Sequence, residues 1–108
     1  MGANKEYNAP VRIGGEDYET VAASQTDQVL GTTGSVGDFL GRLIITASTA
    51  ATATVSIKDG SGSAIPICPA LAAAGVFVVE LGIRSTSGAW KVTTGAGATV
   101  VAIGKFSV

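Results

Sequence analysis

Histidine is missing from this 108-residue chain, and cysteine, methionine and tryptophan each occur once. Without an imidazole there is no side chain that titrates unperturbed near neutral pH, and a zinc site would lack its commonest nitrogen ligand. Cys68 has no second cysteine to pair with, so no intrachain disulfide forms. Its neighbours Ala64, Ile65, Pro66 and Ile67 are apolar, which predicts a buried, inert thiol. Charge is also scarce, at 14% of residues, where about a quarter is usual. The seven basic residues are scattered and the net charge is -1, which argues against nucleic acid as a partner, because a phosphate backbone is held by clustered Lys and Arg. Residues 1–10 hold no apolar core of a signal peptide. The longest apolar stretch, 64–79, is broken by Pro66, Pro69 and Gly75, so no membrane helix is expected and no membrane partner.

Reactive groupings are equally thin. Asp27, Asp38, Asp59 and Glu80 are the only carboxylates beyond residue 19, and three of them fall in predicted turns, where capping or solvated roles are expected. Acid/base catalysis needs two such groups converging in a cleft, and the many Ser and Thr residues have no evident base to activate them. The glycines at 31, 34 and 37, at 60 and 62, and at 95 and 97 fit no phosphate-binding fingerprint. Asp59-Gly60-Ser61-Gly62-Ser63 lacks the alternating oxygen ligands and closing Glu of a calcium loop. The chain is therefore read as a non-enzyme with no cofactor and no metal, whose function lies in contacts.

What the sequence does contain is a rhythm. From residue 20 onward, short apolar or alternating segments are each ended by Gly, Ser or Thr, the pattern of an all-β domain. Strands are expected at 20–24, 28–30, 39–47, 53–58, 64–68, 76–84, 89–93 and 99–106. Eight short strands predict an antiparallel β-sandwich of jelly-roll type. The surest reversal joins Ile57 to Ile65 through Asp59-Gly60-Ser61-Gly62. One or two helical turns are allowed at 69–74 by the alanines there. Residues 1–19 differ, holding six of the fifteen charged residues, and read as an extended N-terminal arm ahead of a sandwich spanning 20–108.

Three of the strands carry apolar residues on both faces. In 76–84, Phe77, Val79, Leu81 and Ile83 share one face, while Val76 and Val78 begin the other. In 39–47 strict alternation sets Leu43 and Ile45 against Leu40 and Ile44, and in 100–106 it sets Val100, Ala102 and Phe106 against Val101 and Ile103. A two-layer sandwich buries one face of each sheet, so the second apolar face calls for a covering, either the chain's own loops or, as the little chain left for loops favours, a neighbouring subunit. Trp90 shares a face with Val92 and is expected in the core rather than stacked on a sugar. Contact residues are instead expected in the arm, at Tyr7, Pro10, Val11, Arg12, Ile13 and Tyr18, together with Val76 and Val78.

Over residues 29–108 the chain resembles small virion structural proteins of tailed bacteriophages, of the capsid decoration or cement type. The resemblance is carried by GTTGSVGDFL at 31–40, VSIKDGSG at 55–62, VELGIR at 79–84 and GAWKVTTG at 88–95. It implies a β-rich homo-oligomer, dimer or trimer, that is made in the host cytoplasm and binds the major capsid protein on the outer surface of the virion. The alternative expectation is a tail, fibre or head-spike module that binds a host-surface glycan.

Overall fold

β-branched and aromatic residues at every second position favour a pleated, half-buried backbone, and the Gly, Ser and Asp clusters between them supply turn conformations. The computed structural model describes residues 17–69 and 73–107 and shows the result: eight strands and, among these residues, no α-helix. They are β1 (Asp17–Val21), β2 (Gln28–Val29), β3 (Phe39–Ala47), β4 (Val55–Asp59), β5 (Ile65–Cys68), β6 (Gly75–Arg84), β7 (Trp90–Thr94) and β8 (Ala98–Lys105). A single 3₁₀ turn, Ala50–Thr52, separates β3 from β4.

The strands form two four-stranded sheets, ordered β1-β8-β3-β6 and β2-β7-β4-β5, with every pairing antiparallel. β1 pairs with β8, β2 with β7, β3 with β6 and β4 with β5, which is a single long antiparallel ribbon. Rolling that ribbon adds the β3–β8 and β4–β7 pairings and yields two sheets. This is the jelly roll.

Inward positions alternate as the sequence predicts. Val21, Leu30, Leu40, Leu43, Ile45, Val55, Ile57, Trp90, Val92, Val100 and Ala102 are all buried between the layers. Trp90 is 2% exposed, and its Nε1–H donates to the Asp38 carbonyl at 3.0 Å, so the indole enters the core with its one polar group paired. Cys68 is buried as expected, its thiol directed at the Ala53 carbonyl 3.4 Å away.

Two expectations change. The first strand begins at Asp17 rather than residue 20, so Tyr18 and Glu19 belong to the sandwich. Leu40 lies inward with Leu43 and Ile45, because the register slips between Leu40 and Arg42 and reverses the alternation across Gly41. Where the alanines allowed a helical turn, at 69–74, Pro69, Ala73 and Ala74 are not helical, and residues 70–72 lie outside the described residues.

Candidate interaction surface

The three strands with apolar residues on both sides prove to be neighbours, β8, β3 and β6, in one sheet. Registers place their outward residues in rows. Tyr18, Ile103, Arg42 and Glu80 form one row, and Thr20, Val101, Ile44 and Val78 the next. Thr99, Thr46 and Val76 follow. Ile44, Val101 and Ile103 are half-buried by their neighbours, whereas Tyr18, Val76 and Val78 are 73%, 64% and 57% exposed. The face is therefore aliphatic at its centre, with an aromatic ring at one border and two valines at the other.

Two ion pairs lie on and beside it. Arg42 and Glu80 face each other across β3 and β6 at 3.4 Å, and Lys105 meets Asp17 at 3.8 Å. The Arg84 guanidinium sits over the Phe39 ring, 5.6 Å from its centroid. Exposed pairs of this kind contribute little stability, but they leave the surface close to neutral.

The outward face of the other sheet is of opposite character. It presents Ser56, Lys58, Lys91 and Thr93, with the Lys58 ammonium 3.2 Å from Asp27. Thr93 also donates its hydroxyl to Asp27, and both contacts hold that carboxyl below its ordinary value, the Lys58 hydrogen bond most of all. One side of the sandwich is wet and the other is apolar, an asymmetry typical of surfaces that meet another macromolecule on one side.

The remaining carboxylates serve the fold. Asp38 is buried and accepts from the Ser35 and Ser107 backbone N–H groups, each at 3.0 Å, and from the Ser107 hydroxyl at 2.7 Å. Desolvation pushes its pKa up, but the hydrogen bonds from Ser107 and Ser35 together outweigh it and hold the carboxyl below its usual range. Asp59 likewise accepts from the N–H groups of Thr86 and Ser87 and from the Thr86 hydroxyl, tying the β4–β5 turn to the β6–β7 loop. Desolvation is again the largest single influence, and those bonds again overcome it. Among the described residues, no group of three or more potential metal ligands converges.

Of the residues singled out from sequence, Tyr18, Val76 and Val78 thus come together on one sheet face, Tyr18 at one margin and the valines at the other. Tyr7, Pro10, Val11, Arg12 and Ile13 lie outside the described residues. Ile44, Val101 and Ile103 complete the face. Their two-sided strands announced it, but that β3 and β8 lie side by side is a property of the rolled ribbon.

No family model matches the chain, and no curated protein matches it. Among solved structures, the cryo-EM structure of a virus-like particle of the giant freshwater prawn Macrobrachium rosenbergii extra small virus is similar at a TM-score of 0.34. Identity is 14%, and the alignment covers 100% of this chain and 94% of that one. A likeness so slight carries no functional argument.

Proposed function

We propose that this chain is a non-enzymatic structural protein of a virion, which decorates or cements the outer capsid surface of a tailed bacteriophage by bridging major capsid protein subunits. The observation that carries this reading is the apolar outward face of the β1-β8-β3-β6 sheet, set against the wet face of the other sheet. A protein that binds many identical sites without doing chemistry needs such a surface, and it needs a stiff scaffold to present it. The jelly roll supplies the stiffness, with loops clamped by Asp38 and Asp59. The resemblance at 31–40, 55–62, 79–84 and 88–95 supplies the virion setting. Fold alone would not, since jelly rolls serve capsids, lectins and enzymes alike.

With Trp90 inside the core, a glycan-binding role keeps Tyr18 as the most exposed aromatic among the described residues, on a face whose neighbours are aliphatic. Shell attachment uses that face better. Purified protein added to capsid shells that lack it should bind at regular, symmetry-related positions visible by electron microscopy. Finding it only at a tail tip, or bound to no shell, would overturn the proposal.

A further inference from the structure

Strand β6 ends its sheet, and among the described residues it pairs on one side only, with β3. The phase of that pairing is fixed nearby. The Ser48 N–H donates to the Gly97 carbonyl at 2.8 Å, continuing the β3–β8 ladder. Even-numbered residues at that end of β3 therefore turn their backbone groups toward β8, and Leu43, Ile45 and Ala47 turn theirs toward β6. Val79, Phe77 and Gly75, which stand opposite, bond to β3 in return, and Val76 and Val78 present their N–H and C=O groups to the open edge.

Among the described residues that edge is unguarded. Residues 75–79 contain neither the charge nor the proline that usually blocks further pairing. Among the described residues, the inward side of the same border is open too. Ile65, Phe77 and Ile83 share faces with the buried Ile57, Ile45 and Leu40, yet remain 42%, 39% and 38% exposed. At the opposite border Glu19 closes the gap between sheets, accepting from the Gly31 N–H at 2.7 Å and from the Gln28 side chain at 2.8 Å.

The sequence ahead of β1 contains a segment with complementary demands. Over 7–13 the odd positions are Tyr7, Ala9, Val11 and Ile13, and the even ones are Asn8, Pro10 and Arg12. This is the alternation of a half-buried strand. Pro10 has no N–H, so such a strand must pair through its odd positions. In an antiparallel pair, opposed residues exchange both bonds and share a face, so bonding to Val76 and Val78 would turn the apolar set outward and push Arg12 into the seam. In a parallel pair each residue bonds to the two neighbours of the one it lies beside. An odd residue beside Phe77 then bonds to Val76 and Val78 while its own side chain points inward. The parallel arrangement closes the apolar seam, leaves Pro10 facing away, and sets Arg12 outward on the side of Glu80.

The same molecule cannot supply this strand. Asp17, Gly104, Leu40 and Ile83 form one row across the sheet, so β1 and β6 are three strand spacings apart. A strand beyond β6 would lie about 19 Å from β1. Three residues separate Ile13 from Asp17, and the four Cα steps between them extend about 14 Å at most. We infer that residues 7–13 of a second copy add to the open edge of β6 as a parallel fifth strand. This rests on the reading of the chain as self-associating, and not on what it binds in a particle.

The test uses the full chain in solution, with no shell present. Self-association measured by sedimentation should be weakened roughly tenfold or more by Val11→Pro, which removes a bonding N–H, and left unchanged by Asn8→Pro, whose N–H faces away. The Val76 and Val78 amides should gain protection from hydrogen exchange as concentration rises. A nitroxide on Lys5→Cys, mixed with isotope-labelled copies, should broaden signals at the Gly75 end of β6 more than at the Arg84 end. Equal effects of the two prolines, broadening at the Arg84 end, or a monomer at every concentration would each overturn the inference. Any of these leaves shell binding to be judged separately, while loss of shell binding with intact self-association counts against the proposed function alone.

Discussion

Asp38 joins three distant parts of the chain. Its carboxylate holds Ser35 and Ser107, and its carbonyl accepts from the Ser85 N–H at 2.9 Å and from Trp90 Nε1 at 3.0 Å. Asp38→Asn turns an amide NH₂ toward donors that a carboxylate satisfied, and should cost about 3 kcal/mol by chemical denaturation. The pH dependence follows from the depressed pKa. A carboxyl bound more weakly by protons in the folded chain than in the unfolded one, where its ordinary value is 3.8, stabilises fully above about pH 5 and progressively less as pH falls through 3.8 toward its lower value in the folded chain. The stability gap between wild type and Asp38→Asn should therefore narrow between pH 6 and pH 2, read by Trp90 fluorescence; a constant gap would contradict the assignment. The capping role of Asp38 was legible from its turn sequence. Its partner Ser107 was not, because 69 positions separate them and only closure of the sandwich brings them together.

Whole strands were more readable than their ends. β3 occupies Phe39–Ala47 as the sequence places it, since Phe39, Ile44, Ile45 and Thr46 favour a strand and no helical period competes. β1 was read three residues late because Asp17 and Glu19 look like solvent-facing charges, whereas Glu19 turns inward to cap the Gly31 N–H. The face of Leu40 was misjudged for a different reason: a bulge is an extra residue, and period-two counting cannot see it. The strand surface at that bulge is tight. A Cβ on Gly104 would overlap the carbonyl oxygen of Phe39, a backbone atom with no rotamer to yield. Gly104→Ala should thus destabilise by about 3 kcal/mol and lower the thermal midpoint without altering the fold, a loss far above that of an ordinary surface change.

At the scale of the molecule, one outward face of the sandwich is polar and the other aliphatic, and the two can be perturbed separately. Val76 and Val78 are exposed, so Val76→Glu with Val78→Glu should shift stability by no more than about 1 kcal/mol while abolishing attachment to shells, as seen by co-sedimentation. Changing Lys91 to Glu on the wet face should leave attachment intact. Salt provides an independent check of the force involved. Two ion pairs lie on and beside the apolar face, Arg84 rests on Phe39, and the chain's net charge is -1, so few unpaired charges remain to be screened. Raising sodium chloride from about 0.05 M to about 1 M shortens the Debye length to about 3 Å, which would collapse an attachment made by steering charges. Burial of Ile44, Val78, Val101 and Ile103 has no such dependence, because the work of removing aliphatic surface from water is set by area rather than by field. Affinity for shells should accordingly hold across that range, and should rise when sulfate replaces chloride. A fall of several orders of magnitude would mean that the paired charges, not the aliphatic centre, make the contact.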